Sequence, residues 1–313
     1  MKEKTLAIYF SDLDPMGYPF NKDDYWEIYQ SVIVKLEKSA IAVYIVRDDS
    51  YQGQGKFSGG WSVEGGKLEL VDREIKADLI FNRDDKNTIP RITDCPIINH
   101  PDLDRLCLDK WETAKFFPIL SPMSAYVNSF DEWKRLMEKE EWQKSEKIVL
   151  KKNFETEGRG IYILPAHEIK EDFYDDWHDI LVQEFIDSSV GIPGLVSGLH
   201  DIRVPVVNGE VINAFIRTPK IGSFLANVSA GGTGRSIEKA LIPQEVSALV
   251  EGINQKLKKY FPSLYTIDLM NSPGGYKLVE LNSRPGLLSP SESGDRNLFN
   301  NAVVKMLTEI LSN

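Results

Sequence analysis

Cysteine, positive charge and long apolar runs are all scarce in this 313-residue sequence, and each shortage excludes a class of protein. Cys95 and Cys107 are too few and too far apart for a disulfide scaffold, a CxxC pair or a zinc knuckle. They fit ordinary buried thiols in a reducing cytoplasm. With 37 basic and 47 acidic residues the formal net charge is −10, which argues against nucleic acid or an anionic membrane surface as a partner.

Long uncharged segments are also lacking. The longest, Phe116 to Ser129, contains two prolines and falls short of the roughly 20 apolar residues that a membrane helix needs. The apolar run Thr5 to Phe10 is followed at once by polar residues, so it is too short for a signal peptide and predicts a first strand. We therefore expect a cytoplasmic protein that does not span a membrane.

The common short nucleotide-binding signatures are missing as well. The sequence has no Walker A motif and no internal repeat. Gly53-Gln54-Gly55 begins like a dinucleotide loop, but no third glycine follows at the required spacing and no helix is predicted to open there. Any nucleotide site must therefore be built from a different pattern.

The first hundred residues alternate between strand and helix patterns. Apolar positions spaced three or four apart predict a helix from Asp23, and buried-strand patterns flank it, which together favour a small open parallel sheet with a glycine-rich hairpin or flap after the second strand. The predicted strands are Leu6–Phe10, Ile41–Val46 and Asp78–Phe81, and the flap is Tyr51–Gly66.

The remaining sequence predicts mixed α+β units. Asp109-Lys110 begins a short helix, and Ser129 with Glu132 forms a capping box for a helix ending near Trp142. Dense strand patterns favour antiparallel pairing, and Asn208-Gly209 is a strong hairpin turn. The predicted strands are 148–151, 160–164, 180–186, 201–207, 210–217, 265–270 and 276–281, with helices at 244–260 and from about 296.

One predicted hairpin contains three side chains with oxygen atoms that could bind a metal ion. If the turn after Met270 is centred on Gly274, Asp268 and Glu280 face each other across an antiparallel pair, and Asn282 lies on the same face as Glu280. Two carboxylates on one buried face repel unless a cation neutralises them, and Mg²⁺ prefers such ligands. The alternative is a polar face in solvent, and the hairpin alone leaves both open.

A lysine and two glycines suggest contacts with phosphate. Lys151 ends a predicted strand, and Gly158-Arg159-Gly160 follows in a loop whose glycines let backbone N–H groups approach phosphate oxygens. Each feature alone is more often a solvated lysine or a simple turn. Their order along the chain, rather than any one of them, is informative.

Taken in order, these elements resemble the ATP-grasp superfamily, in the branch of the RimK-type glutamate ligases and glutathione synthetases. The resemblance runs from about Asn99 to Ser289. The segments that carry it are Asp109-Lys110, Val149-Leu150-Lys151, Gly158-Arg159-Gly160, Val182 to Ile186, Asp201-Ile202-Arg203, Arg217, Asn227, Gly231-Gly232, Asp268 and Glu280 to Gly286.

The resemblance implies a fold of class α/β and α+β, in which two α+β subdomains clasp ATP behind a small open-sheet α/β domain. The implied domains are 1–98, an N-terminal domain preceding the grasp, 99–186, a central subdomain with the lysines and the glycine-rich loop, and 187–313, a C-terminal subdomain with the metal site.

It also implies a role for each matching residue. The nucleotide contacts would be Lys110, Lys151, Gly158, Arg159, Gly160, Glu184, Phe185 and Asn227, with Glu184 and Phe185 using backbone groups at the adenine edge. Asp268, Glu280 and Asn282 would hold two Mg²⁺ ions, for which Mn²⁺ could substitute. Arg203 and Arg217 would stabilise the transferred phosphoryl group, and Arg284, Gly231 and Gly232 are candidate substrate contacts.

The implied activity is that of an ATP-dependent carboxylate–amine ligase that forms an acyl phosphate and releases ADP. Its partners would be small-molecule or peptide substrates, and homo-oligomer formation stays open. Leu225 and Ala230 stand where RimK-type sequences often carry arginine, so an acidic substrate does not follow. The alternatives are a kinase of the same fold, disfavoured by the charge of −10, and a non-catalytic nucleotide-binding module, disfavoured by the complete ligand set.

Overall fold

The computed structural model describes residues 3–84, 92, 94–155, 158–287 and 296–312. Within these residues, no helix combines the length and the apolar character needed to cross a bilayer. Cys95 and Cys107 are both free thiols, the second of them buried.

The first part of the chain is built around a twisted sheet with the strand order β6–β5–β2–β1–β8–β9, beside a small sheet β3–β4–β7. The elements are β1 (Lys4–Phe10), α1 (Asp23–Glu37), β2 (Ile41–Arg47), β3 (Tyr51–Gly53), β4 (Lys56–Phe57), β5 (Gly60–Glu64), β6 (Lys67–Val71), β7 (Ile75–Lys76), β8 (Leu79–Asn82) and β9 (Ile97–Ile98). The predicted strands, helix and glycine-rich hairpins are confirmed.

The sheet is mixed, however, so the prediction of a parallel sheet is only partly right. Strand β1 pairs in parallel with β2 and β8, whereas β5 pairs antiparallel with β2 and β6. The reason lies in the glycine-rich segment, which turns back on itself and adds its own strands to the sheet edge. A short hairpin can supply only antiparallel neighbours.

The central unit is an antiparallel sheet with the order β10–β13–β11–β12, packed against helices through an aromatic-rich core. The elements of this segment are α2 (Pro101–Leu108), α3 (Lys110–Phe116), β10 (Ser124–Val127), α4 (Phe130–Met137), α5 (Glu140–Gln143), β11 (Ile148–Lys152), β12 (Ile161–Leu164) and β13 (Ile180–Glu184). Helices α4 and α5 pack on the central sheet, whereas the buried side chains of α2 join the apolar core of the last sheet of the chain. The predicted antiparallel pairing is confirmed.

The helix predicted to run to Trp142 is in fact two helices, α4 and α5. Trp133 and Trp142 are both buried although they lie nine positions apart. At about 3.6 residues per turn, nine positions are two and a half turns, so a continuous helix would place the two rings on opposite faces. The break lets both rings enter the core. The predicted capping box is half formed: Ser129 Oγ accepts from the Glu132 N–H, but the Glu132 carboxylate accepts from the Asn128 N–H, one residue before the N-cap.

The last unit is a sheet with the order β17–β16–β14–β18–β19, in which β15 also pairs with β14. Its elements are β14 (Asp201–Val207), β15 (Glu210–Val211), β16 (Ala214–Thr218), β17 (Thr233–Ile237), α6 (Gln244–Leu257), β18 (Leu264–Ser272), β19 (Gly275–Asn282) and α7 (Arg296–Ser312). The strand predicted over 210–217 is wrong as a single element. The strand is interrupted at Ile212-Asn213, where the side chain of Asn213 is buried and donates a hydrogen bond to Ser236 Oγ.

The first and last parts of the chain share one apolar core. Phe299, Val303 and Leu307 of α7 pack in the same cluster as Ile8 of β1 and Ile28 of α1. The terminal helix therefore covers the N-terminal sheet, although it belongs in sequence to the segment 187–313.

A β-bulge sets the register of the hairpin β18–β19. Near the turn, Met270 pairs with Lys277 and Leu269 with Leu278, but the next pair is Asp268 with Glu280, so Val279 is the extra residue. Continued without the bulge, the register would place Asp268 opposite Val279. The predicted juxtaposition of Asp268 and Glu280 is confirmed, and the bulge produces it.

Candidate functional site

Cross-strand ion pairs line one face of the C-terminal sheet. Arg217 of β16 lies opposite Asp201 of β14, and Arg203 of β14 lies opposite Asp268 of β18. Each arginine binds its opposite carboxylate through two hydrogen bonds of 2.6–2.7 Å, and Arg217 Nη2 also donates to Asp268 Oδ2 at 2.8 Å. The sheet register therefore joins four charges in one network.

This network holds Asp268 ionised. Burial alone would raise the pKa of its carboxyl, but the charges and hydrogen bonds of Arg203 and Arg217 outweigh burial and lower that pKa to about 2. The same carboxylates raise the pKa of the Arg217 guanidinium against the opposing effect of burial. Both charges are thus fixed at physiological pH.

Asp201 is a site residue to which the sequence analysis assigned no role. Burial raises the pKa of its carboxyl, and Arg217 partly opposes that rise. Its bidentate bond orients the Arg217 guanidinium. The available signal was the spacing Asp201-Ile202-Arg203, which puts both charges on one face of a strand.

Glu280 and Asp268 suit a hard cation. Asp268 Oδ1 accepts one hydrogen bond and Oδ2 accepts two, so Oδ1 keeps a lone-pair direction. Glu280 has no hydrogen bond from the described residues, and its nearest cation is Lys110 Nζ at 3.9 Å from Oε1. The described part of the chain contains no group of three His, Cys, Asp or Glu residues that could hold a metal. Any ion here would therefore need Asn282, water or phosphate oxygens as well.

Asn282 and Arg284 connect this edge of the sheet to the N-terminal unit. Asn282 Oδ1 accepts a hydrogen bond from the Arg284 N–H at 2.8 Å, and the second lone pair of this oxygen is left for another ligand. The Arg284 guanidinium donates to the Asp84 carbonyl at 3.1 Å and lies 3.6 Å from Asp104. Arg284 therefore bonds the N-terminal unit, and its side chain is not among those lining the cleft described next.

A cleft that is open to solvent separates this face from the central sheet. Lys151 of β11 lines it, and the side chain is buried. Burial lowers the pKa of Lys151 to about 8, with repulsion from Lys110 adding to the effect and Glu280 and Asp268 opposing it. No hydrogen bond to the Lys151 ammonium is found among the described residues. A buried cation aimed into a cleft without a protein partner is suited to an anionic ligand.

Lys110 lines the same cleft from the start of α3. Its ammonium donates to the carbonyl oxygens of Asn153 and Glu155, at 3.1 and 2.5 Å. Asn153 is a second residue that the sequence analysis missed. Its buried amide donates to Asp109 and accepts the Trp111 N–H, both at 2.9 Å. No spacing pattern signals it, because the contact joins segments more than forty residues apart.

The glycine-rich loop reaches across the cleft. Gly158 has φ +78° and Gly160 has φ +63°, a conformation that favours glycine. A Cβ on Gly158 would lie 3.4 Å from Asn227 Nδ2, so this loop closely approaches the C-terminal unit. Arg159 points away, exposed and 3.6 Å from Glu155. Thr156 and Glu157, which precede Gly158 in the sequence, and Ser289, where the family resemblance ends, lie outside the described residues.

The other end of the cleft is apolar. The apolar side chains at the Val149 end are Val149, Ile163, Phe185 and Ile186, whereas Ile161 pairs with Lys151 and Val279 directly precedes Glu280. Glu184 lies beside them, and its carboxylate accepts the Met123 N–H at 2.8 Å. The N–H groups of Glu184 and Phe185 donate to the carbonyls of Met123 and Lys147. The cleft thus has an apolar end beside Val149 and a charged end beside Lys151.

Gly231 and Gly232 shape a neighbouring loop. A Cβ on Gly232 would lie 2.5 Å from the Ala226 carbonyl oxygen and 2.9 Å from that of Thr218, so only glycine fits this backbone crossing. Neither glycine lines the cleft. The predicted site residues that do line it are Lys110, Lys151, Gly158, Glu184, Phe185, Arg217, Asn227, Asp268 and Glu280.

Solved structures with this architecture are ATP-grasp ligases. D-alanyl-alanine synthetase A from Vibrio cholerae aligns with a TM-score of 0.65 at 14% identity, covering 100% of both chains. A RiPP-associated ATP-grasp ligase from Chryseobacterium gregarium, in complex with ADP and a leader and core peptide, aligns with a TM-score of 0.61 at 16% identity, covering 99% of this chain and 96% of its own. At such identities the alignments establish the ATP-grasp fold alone.

Relatives are also found by sequence. A probable alpha-L-glutamate ligase of Legionella pneumophila (strain Corby) is 32% identical over 155 residues, which is 48% of this chain and 47% of the relative. The tetrahydromethanopterin:alpha-L-glutamate ligase of Methanocaldococcus jannaschii is 29% identical over 234 residues, 69% of this chain and 72% of the relative. The chain spans about half the length of the Legionella relative that it matches. A model of the RimK-like ATP-grasp domain matches residues 108–309. Because that match covers more than half of the sequence, the chain belongs to the RimK-like ATP-grasp family.

Proposed function

We propose that this chain is an ATP-dependent carboxylate–amine ligase that forms an amide or peptide bond through an acyl phosphate. The observation that carries the proposal is the polarity of the cleft. One end, beside Val149 and Ile163, is apolar, as the faces of a purine base require, and the other has Lys110, Lys151 and Arg217 beside Asp268 and Glu280.

Spacing along β11 supports this orientation of ATP. Val149 lines the apolar end and Lys151 the charged end, and alternate residues of a strand share a face about 6.6 Å apart. The base would rest on Val149 and its neighbours, and the phosphates would reach the two lysines. Gly158 would close over them with its backbone.

The chemistry needs no nucleophilic side chain. A substrate carboxylate oxygen attacks the γ-phosphorus, the bond to the β-phosphate oxygen breaks, and ADP leaves. The amine nitrogen then attacks the acyl carbon, the carbon–oxygen bond to phosphate breaks, and the amine loses its proton. Arg217 lines the cleft and would stabilise charge on the transferred phosphoryl group, since a planar guanidinium held by a carboxylate is already oriented for it. Arg203 does not line the cleft in this structure, but it binds the same carboxylate as Arg217, Asp268, and we propose that it acts beside Arg217.

The acidic residues would hold Mg²⁺ in this function. Glu280, Asp268 and Asn282 offer the oxygen ligands that Mg²⁺ prefers, and the ion would neutralise phosphate charge when bound. We assign no acidic substrate. The relatives are named as glutamate ligases, but Leu225 gives the cleft an apolar side chain at its position. The proposed substrates are small-molecule or peptide carboxylates and amines.

Product identification tests this function. ADP release is measured with pools of amino acids and peptides, and a condensed product is sought by mass spectrometry. An amide that appears together with stoichiometric ADP supports the ligase. ADP release with a phosphorylated hydroxyl compound instead would identify a kinase.

The affinity for ATP is expected to fall as the pH rises from 7 to 9. Lys151 is protonated below its pKa of about 8 and loses its charge above it, so phosphate binding weakens by about tenfold across that range. Calorimetric titration with ATP at each pH measures the effect. Lys151→Arg keeps its charge throughout and should show a much flatter profile.

Lys144→Arg is the matched control, because Lys144 is exposed on the central unit and pairs only with Glu140 among the described residues. Its pH profile should follow that of the wild type. If the ATP affinity of Lys151→Arg fell with pH as steeply as that of the wild type, the result would contradict the assignment of Lys151 to the phosphates.

A further inference from the structure

A buried asparagine at the end of the N-terminal sheet ties together the two ends of the hairpin β18–β19. Asn99 comes directly after β9 and is only 3% exposed. Its Nδ2 donates to the carbonyl oxygens of Leu264, at 2.7 Å, and of Ser283, while its Oδ1 accepts the Leu264 N–H at 2.7 Å. Both amide protons are thereby used. Asn99 thus joins the first residue of β18 to the residue that follows β19.

Arg83 holds the same segment two residues further along. Its Nη2 donates to the Pro285 carbonyl at 2.6 Å, and the side chain is buried. Arg83 directly follows β8, the parallel neighbour of β9, so Arg83 and Asn99 leave the sheet at the same edge. The N-terminal sheet therefore anchors the carbonyl groups of Ser283 and Pro285, on either side of Arg284.

This anchored backbone orients the side chain of Asn282. Asn282 is the last residue of β19 that pairs with β18, and its Oδ1 accepts the Arg284 N–H at 2.8 Å. Because the Arg284 backbone lies between the two anchored carbonyls, its N–H is held toward Asn282. The second lone pair of Oδ1 is left on the side of the strand that also carries Glu280, since alternate residues share a face.

We propose that Asn99 and Arg83 are positioning residues for the metal site. By fixing the backbone of residues 283–285, they aim Asn282 Oδ1 at a cation beside Glu280. The assignment rests on the proposed function, because it presumes that Mg²⁺ binds there together with ATP. The N-terminal sheet then takes part in building a site whose proposed ligands all lie on the C-terminal sheet.

Two variants test this role without removing a proposed ligand. Asn99→Asp keeps an acceptor for the Leu264 N–H but cannot donate to Ser283, and Arg83→Met keeps a long side chain without its donors. Each change adds a negative charge or removes a positive one, which alone would favour a cation, so a lower metal affinity must come from lost geometry. We expect the affinity for Mn²⁺ to fall by at least about tenfold, and the affinity for metal-free ATP to change little. Electron paramagnetic resonance measures free Mn²⁺, with protein in excess over a non-hydrolysable ATP analogue.

Combination with Asn282→Ala separates positioning from a general weakening of the site. Asn282→Ala alone should lower the Mn²⁺ affinity by a similar factor. Adding Asn99→Asp to it should lower that affinity no further, because the side chain to be positioned is gone. Asn301→Asp, at an exposed position on α7, is the matched control and should bind Mn²⁺ as wild type does.

Thermal melting verifies that each variant is folded, and Arg83→Met decides the question if Asn99→Asp does not fold. Wild-type Mn²⁺ affinity in the folded variants, an additive loss in the double variant, or no effect of Asn282→Ala would each overturn the positioning role and leave the ligase function in place. Failure of wild-type protein to bind the ATP analogue with Mn²⁺ would contradict the proposed function together with it.

Discussion

Replacing Glu280 with alanine is expected to abolish ADP formation while the protein still binds nucleotide. Glu280 has no hydrogen bond from the described residues, and its side chain is 29% exposed, so its loss should leave the sheet intact. The substitution removes a proposed metal ligand beside the phosphates, and we expect turnover to fall by about a hundredfold or more because of that loss. Removing its negative charge also leaves Lys110 and Lys151 less neutralised, so the affinity for metal-free ATP should hold or improve.

Steady-state ADP release at saturating Mg²⁺ and a parallel ATP titration measure the two effects. Glu210→Ala, at an exposed position on β15, is the matched control and should behave as wild type. Turnover by Glu280→Ala at the wild-type rate would remove Glu280 from the metal site.

Lysine in place of Arg203 is expected to cost about 3 kcal/mol of transition-state stabilisation, roughly a hundredfold in rate. Arg203 donates one hydrogen bond to each carboxylate oxygen of Asp268, at 2.7 and 2.6 Å, and lysine cannot form this bidentate contact. The charge is kept, so the KM for ATP should change much less than kcat.

Arg235→Lys on the adjacent part of the sheet is a suitable comparison, because the guanidinium of this exposed arginine bonds only the Leu195 carbonyl among the described residues. It should leave kcat unchanged. Full activity of Arg203→Lys would mean that charge alone suffices and that the guanidinium geometry has no part in phosphoryl transfer.

The hairpin of Asp268 and Glu280 shows how far the sequence could be read. Strand alternation and the position of the turn place the two carboxylates on one face, and the structure agrees. The bulge at Val279 was not predictable, because a bulge depends on pairing with the partner strand rather than on local preference. The correct pairing was reached because a turn centred on Gly274 shifts the register by the same single residue.

Other site features depend on contacts between distant segments. The pairing of Arg217 with Asp201 depends on the register of β16 against β14. The hydrogen bond from the Asn153 amide to the Asp109 carboxylate joins two segments that are far apart in the sequence. The division of the helix after Met137 follows from burying two tryptophans in one core. Composition and periodicity describe each segment alone and carry no information about such partners.

Trapping of an activated carboxylate tests the proposed mechanism most directly. The protein is incubated with ATP, Mg²⁺, hydroxylamine and a carboxylate panel without amine, and products are identified by mass spectrometry. An acyl-phosphate mechanism predicts a hydroxamate formed together with ADP and never with AMP. Release of AMP and pyrophosphate would contradict it, and ADP with neither hydroxamate nor amide across the panel would favour phosphoryl transfer to a hydroxyl.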